Sequence, residues 1–200
     1  MSKMSKTQQY YNSNADLFFE NTFSIDMGAL YSAFEKYLPK SGKILDVGCG
    51  SGRDALYFSE LGYEVEAFDN SEKLVEMARQ KTGLNIEHKS FYEMTAVNQY
   101  AGIWACASLL HCEKENLVDV VLSLITALEQ NGICYLSFKY GTDTREVAGR
   151  YFTDMNEESM TQLLQSFNNI EILKQWITED LRRDREEKWL NIIFKKRDLI

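Results

Sequence analysis

The sequence predicts an α/β fold: a doubly wound, mostly parallel sheet of seven strands, closed at one edge by a C-terminal antiparallel hairpin. Three observations predict it. From residue 43 onward, short apolar runs alternate with amphipathic stretches of helical period. The first run ends in a turn of small residues, Gly48-Cys49-Gly50-Ser51-Gly52. Two strand-like runs near the end are separated by a charged connection. Two hundred residues, 44% of them hydrophobic, suit one self-sufficient core. The chain therefore reads as a single domain, 1–200, with a helical flap over 1–41 and an α/β core over 42–200.

Taken in order, Asn14–Asn21 and Met27–Tyr37 read as helices, the second closed by Pro39, the one proline, and Ser41-Gly42. Strand Lys43–Val47 follows, then helix Arg53–Leu61 stopped by Gly62, strand Glu64–Phe68, helix Glu72–Lys81 stopped by Gly83, and a short strand Asn85–Glu87. Such alternation implies right-handed crossovers and parallel pairing. Strand Gly102–Cys106 comes next, then a helix from Lys114 to Glu129 whose Leu117, Val121, Leu124 and Leu128 form a core stripe. Strand Ile133–Lys139, an irregular stretch Tyr140–Thr153 and a helix near Glu157–Phe167 lead to the closing hairpin, Ile170–Thr178 with Lys188–Lys195.

The turn and the strand after it point to a nucleoside. Gly48 and Gly50 lack Cβ atoms, so the backbone can adopt left-handed dihedrals and approach a ligand closely. Asp69, at the tip of the next strand roughly twenty residues on, can accept hydrogen bonds from two ribose hydroxyls. A dinucleotide turn would need its third glycine at position 53 to pack helix on strand beside a pyrophosphate. Arg53 stands there instead, and the glycine comes one place early, at Gly52. Asp46, two residues before the turn, can organise the loop's amide groups or face an ammonium; it would repel a pyrophosphate and attract the ammonium of S-adenosylmethionine.

These residues carry a family likeness. Leu45-Asp46-Val47-Gly48-Cys49-Gly50-Ser51-Gly52 resembles the first motif of the class I S-adenosylmethionine-dependent methyltransferases, a family with a Rossmann-like fold. Asp69-Asn70-Ser71 with Leu74, Met77, Ala78 and Arg79 is similar to the family's second strand and following helix. The segments Tyr100–Cys106 with Leu109-Leu110-His111, and Gly132–Phe138, resemble its fourth and fifth strands. The likeness implies that the cofactor is held by Asp46, Gly48, Cys49, Gly50, Arg53, Asp69, Asn70 and Cys106, with Phe91 on the adenine face and Ser90 at its edge. Tyr11-Asn12-Ser13-Asn14-Ala15-Asp16-Leu17-Phe18 resembles the opening of many small-molecule members, whose first helix lids the cofactor. Tyr11 there would gain cation–π attraction to the sulfonium. His111, the one group near the expected pocket that titrates near neutrality, is the general-base candidate. Tyr140, Arg150 and Tyr151 fall where the acceptor pocket often lies, and Arg150 could bind an anionic acceptor. A tellurite-resistance-like branch fits the overall likeness.

Composition narrows the substrate. A formal net charge of −8 disfavours nucleic acid, whose binding rests on clustered Lys and Arg. Arg182-Arg183, Arg185 and Lys195-Lys196-Arg197 are interleaved with acids or terminal and read as a solvated face. Ala105-Cys106-Ala107-Ser108 is not the Asn/Asp-Pro-Pro-aromatic clamp the family uses on exocyclic amines. Cys49, Cys106, Cys112 and Cys134 lack C-x-x-C spacing and read as reduced, mostly buried thiols, and two histidines are a poor supply for a metal site. No secretory signal or membrane-spanning run is present, so a cytoplasmic protein, monomer or homodimer, is expected, acting on a small-molecule acceptor. A non-catalytic module binding the same cofactor, or a nicotinamide oxidoreductase, would be the alternatives.

Overall fold

The computed structural model describes residues 4–182 and 185–198. Its main sheet has seven strands: β1 (Lys43–Val47), β2 (Glu64–Asp69), β3 (Ile86–His88), β4 (Tyr100–Ala105), β5 (Leu128–Lys139), β8 (Ile170–Glu179) and β9 (Lys188–Lys196). They lie in the order β3-β2-β1-β4-β5-β9-β8. β3, β2, β1, β4 and β5 pair in parallel, while β9 runs antiparallel to both β5 and β8. The expected doubly wound sheet with an antiparallel hairpin at its edge is the observed one.

Local chemistry explains the elements. β1, β4 and most of β5 are buried on both faces, which is why they read as continuous apolar runs. Helix α4 (Arg53–Glu60) buries Ala55 and Phe58. Helix α5 (Glu72–Thr82) starts where the Ser71 hydroxyl accepts from the Leu74 amide at 3.2 Å and stops at Gly83 in the left-handed region. Helix α6 (Leu117–Ala127) buries Leu117, Val121 and Leu124 of the expected stripe, whose fourth member, Leu128, instead opens β5. Helix α7 (Glu157–Leu164) starts at a reciprocal Asn156–Ser159 capping box. All four cysteines are free thiols, and Cys49, Cys112 and Cys134 are buried.

Three differences from expectation have physical causes. Before the sheet there are three helices rather than two: α1 (Lys6–Ser13), α2 (Ala15–Thr22) and α3 (Gly28–Glu35). α1 buries no side chain, so it has no apolar stripe to betray it. The long helix ends at Ala127, and the strand begins at Leu128, before Gly132. The stretch Tyr140–Thr153 is not irregular. It holds a separate hairpin of β6 (Thr144–Val147) and β7 (Arg150–Thr153). Its two-residue loop, Ala148-Gly149, has φ of 51° and 79°, the all-positive geometry that matches strand twist, and alanine at the first position hides the usual Asn-Gly signal. Of the basic residues read as a solvated face, Arg182 is ion-paired with Asp180 and Arg197 with Glu171, and Arg183 lies outside the described residues.

The front helices are fastened to the sheet by a buried carboxylate. Asp54 accepts from the Tyr31 hydroxyl, from Trp104 Nε1 at 2.9 Å and from two nitrogens of Arg53, whose third nitrogen reaches the Thr22 carbonyl at 3.0 Å. Burial alone would push the Asp54 carboxyl up, but the Arg53 charge and these donors outweigh it and hold it below the usual range. Removing the carboxylate strands Arg53 and two donors, so Asp54→Ala is expected to lose roughly 3–5 kcal/mol in urea denaturation. The sign with pH follows from linkage. A depressed folded pKa gives stability that is present above the unfolded value, about 4, and is lost as pH falls through the folded value. Acid unfolding of Asp54→Asn should therefore be less steep than that of the wild type.

Candidate cofactor and acceptor site

The chain order reverses between β1 and β4, and the crevice beyond the carboxyl ends of the strands opens there. A cavity of about 2080 Å³ occupies it. One drug-sized ligand takes a pocket of roughly 300–1,000 Å³, so this one has room for two molecules.

The glycine turn forms its inner wall. The amides of Gly48 and Cys49 both bond the Phe68 carbonyl on β2, at 2.9 and 3.0 Å. Gly48 (φ 68°) and Gly50 (φ 54°) stand in the left-handed region. A Cβ on Gly48 would lie 2.5 Å from the Ser108 Cβ, and one on Gly50 would lie 2.9 Å from the Phe18 ring. The turn therefore backs onto the loop after β4 and is roofed by α2, leaving no space for side chains. Asp69 is hooked onto the same turn, with the Gly50 amide on Oδ2 at 2.9 Å and the Ser71 amide on Oδ1 at 2.8 Å. Burial nonetheless holds its carboxyl above the usual range, so further donors would be welcome.

The structure brings most of the expected residues to this cavity: Cys49, Asp69, Asn70, Ser90 and Phe91 at one end, and Tyr11, Arg53, Cys106, His111, Arg150 and Tyr151 around the rest. Several carry other duties as well. Ser90 caps the short 3₁₀ turn Phe91–Glu93, and Arg53 is bound to Asp54 and Thr22. Asp46 is not on the cavity wall. It is buried behind the turn, 2% exposed, with Oδ2 lacking any hydrogen-bond partner. Burial, reinforced by the nearby Asp54 charge, raises its carboxyl well above the usual range. Tyr140 is not brought to the cavity either. It is 40% exposed and donates to Glu157, because the β6–β7 hairpin rather than Tyr140 turns back toward the site.

Tyr11 and His111 meet across the cavity, the tyrosine oxygen 2.8 Å from Nε2. The other ring nitrogen, Nδ1, lies 2.7 Å from the Tyr151 carbonyl. A carbonyl only accepts, so Nδ1 carries the proton, and Nε2 accepts from the Tyr11 hydroxyl. Burial lowers His111 to about 4, with the nearby Arg150 charge acting in the same direction. Burial raises Tyr11 to about 12. Both are neutral at pH 7.

Other residues on the wall escaped the sequence. Tyr10 and Phe18 of the front helices line it, and so do Tyr135, Ser137, Lys139 and Asn191 deeper in. The Tyr135 hydroxyl donates to Asn191 Oδ1 at 2.7 Å, joining β5 to β9. The available signal was polarity in the wrong place: Ser137, Lys139 and Asn191 sit in otherwise apolar runs of buried strands.

Fold and cleft together define a Rossmann-like α/β domain with its ligand crevice at the topological switch point. Residues 44–132 match the family model described as methyltransferase domain, which supports the class I S-adenosylmethionine-dependent methyltransferase reading of the motifs. Curated relatives agree. A Bacillus subtilis (strain 168) protein, YqeM, whose name is that of a methyltransferase, is 27% identical over 141 residues, covering 66% of this chain and 57% of that one. TehB of Haemophilus influenzae, named a probable S-adenosyl-L-methionine-dependent methyltransferase, is 41% identical over 88 residues, covering 41% of this chain and 30% of TehB. The chain thus spans little more than half of the one relative and less than a third of the other. Among solved structures, the Burkholderia thailandensis 1,6-didemethyltoxoflavin-N1-methyltransferase, bound to 1,6-didemethyltoxoflavin and S-adenosylhomocysteine, superposes with TM-score 0.79 at 18% identity, over 96% of this chain and 88% of that one. The [4+2]-cyclase SpnF superposes with TM-score 0.73 at 15% identity, over 98% of each. Those two likenesses are of fold. Among the described residues no helix is long and apolar enough to cross a membrane.

The glycine cradle yields a direct prediction. Gly48→Ala forces a β-carbon into Ser108 at a left-handed backbone position, so binding of S-adenosylhomocysteine should be lost in isothermal calorimetry, whereas Gly62→Ala, with open space around it, should keep it.

Proposed function

We propose that this protein transfers the methyl group of S-adenosylmethionine by in-line displacement to a small-molecule acceptor. The observation that carries the reading is the pairing of a side-chain-free glycine cradle with Asp69, both facing a cavity large enough for a second molecule. In this reading Asp69 receives the ribose hydroxyls beside Asn70, and the backbone around Gly48, Cys49 and Gly50 lies against the amino-acid end. Phe91 covers the adenine and Ser90 its edge, while Cys106 and the Tyr11 ring border the sulfonium end. Asp46 acts from behind the turn. Its unpartnered oxygen marks a buried negative site whose penalty an arriving ammonium relieves. Arg53 serves by holding α2 over the cradle through Thr22.

The cofactor supplies an electrophilic methyl on a sulfonium, so the chain's own work is to position the acceptor, exclude water and take a proton. α1 and α2 cover the cavity, which favours a small acceptor over a polymer. His111 Nε2 is the basic nitrogen of the Tyr11–His111 pair and accepts from the Tyr11 hydroxyl, so it is the terminus for a proton that leaves the acceptor through the Tyr11 oxygen.

Two measurements test this. Asp69→Ala removes the acceptor of two hydrogen bonds to a charged group, each about 1.5–3 kcal/mol, so S-adenosylhomocysteine affinity should fall at least about a hundredfold. Mass spectrometry of a cell extract incubated with the protein and isotopically labelled S-adenosylmethionine should show a labelled small molecule; labelled protein or nucleic acid instead would overturn the acceptor class. The pH dependence of turnover has a defined sign. The base form of His111 exists above its pKa, so the rate should be flat through pH 6.5 and fall only as pH nears about 4. An inflection near 6.5 would remove His111 from the proton path as drawn.

A further inference from the structure

We infer that the acceptor carries a single carboxylate, received by the Arg150 guanidinium beside the Tyr11–His111 pair; this rests on the methyltransferase reading of the cavity. Four arginines line the cavity. Arg53 is paired with Asp54, Arg182 with Asp180 and Arg185 with Glu187. Among the described residues Arg150 has no carboxylate partner, and its Nε is buried without any hydrogen bond.

Arg150 is also held in place. Its guanidinium carbon lies 4.2 Å from the centre of the Tyr10 ring and 5.1 Å from that of Phe152. Phe152 has two further cations at 5.1 Å, Lys139 and Arg145, but each has a carboxylate partner, Lys139 in Glu187, which it shares with Arg185, and Arg145 in Asp154. Arg150 is the member of this group without a carboxylate partner among the described residues. A partly desolvated guanidinium without a counter-charge is costly, and a planar anion bound in its plane relieves that cost with charge-assisted bonds.

The anion should be singly charged, because Glu186, which has no ion-pair partner among the described residues, also lines the cavity and would repel a dianion more strongly than a monoanion. The placement relative to the base is fixed by the backbone. Arg150 precedes Tyr151, whose carbonyl accepts from His111 Nδ1 and whose amide donates to Thr7 Oγ1 at 3.0 Å. The anchor therefore lies one residue from the β7 carbonyl that fixes the proton acceptor, which suits a compact acid whose reacting atom lies a few bonds from its carboxylate.

The test uses benzoate and phenylacetate as probes, each against its neutral amide, titrated by ligand-observed NMR with and without saturating S-adenosylhomocysteine. Wild type should bind the acids at least about tenfold more tightly than the amides, a difference of about 1.4 kcal/mol. Arg150→Gln should bring the ratio to within about twofold, and Arg150→Lys should retain part of it. Affinity for S-adenosylhomocysteine, measured on the same samples, reports that the variants are folded. Equal binding of acid and amide by wild type, binding of neither, or a preference that survives in Arg150→Gln would overturn the proposal. Failure of wild type to bind S-adenosylhomocysteine would instead overturn the methyltransferase reading, and the acid–amide ratio in its absence would still stand as a separate result.

Discussion

The arrangement depends on one buried carboxylate. Asp54, on the first turn of α4, gathers the Tyr31 hydroxyl from α3, the Trp104 indole from β4 and the Arg53 guanidinium, and through Arg53 it reaches the last residue of α2. Those contacts join the front helices, the helix after the glycine turn and the centre of the sheet. Around them stands an aromatic layer of Tyr31, Phe34, Phe58, Trp104 and Tyr135, with Trp104 stacked on Tyr135 at 4.0 Å. Such a pair is no great source of net stability over an apolar filling, because two charges must leave water. Its effect is directional. Only one placement of α2 and α3 satisfies every donor, and that placement sets Phe18 over Gly50.

The roof has a firm part and a loose part. α3 is anchored by buried Leu30, Tyr31 and Phe34, whereas α1 has no fully buried residue and is tied down largely by polar contacts. Gln8 donates to the Asn70 carbonyl at 2.8 Å, Asn12 accepts from the Ser71 hydroxyl at 2.7 Å, and Tyr11 donates to His111. Each such bond exchanges with water at a net gain of only about 1 kcal/mol. A helix held this way opens at far lower free energy than the sheet unfolds, so α1 can admit ligands without disturbing the cradle beneath it. The residues that tie α1 down are also those beside the Asp69 end of β2 and His111.

The parts legible in the sequence were those with a period or a steric demand. β1 to β5 and β8–β9 announced themselves as apolar runs, and the cradle as glycines no other residue could replace. Hidden parts were stabilised by tertiary partners rather than by local pattern. α1 has no stripe, and the β6–β7 turn places alanine where a positive φ ordinarily calls for Asn or Gly. Of the site residues, Asp69 and His111 were readable because Asp69 ends β2 and His111 lies in the segment after β4, both at the carboxyl edge of the parallel strands. Asp46 and Tyr140 were readable only as positions along the chain. Spacing says which loop a residue occupies and not which way its side chain faces, so the one went behind the wall and the other to the surface.

A sheet of this kind does not decide chemistry, since the same scaffold hosts unrelated reactions. What distinguishes this cavity is the contrast between its two ends. At the glycine end, carboxylates with raised pKa values, Asp46 and Asp69, wait for positive charge and hydroxyl donors. At the β7 end, an uncompensated Arg150 waits for negative charge, and burial keeps His111 neutral with its lone pair turned inward. A cationic methyl donor and an anionic acceptor would each enter the end of complementary sign, and their mutual attraction would draw them together in the water-poor space between. On the proposed reading, the polarity of the chamber would order the two reactants before any bond changes, using only charges that the fold has already set in place.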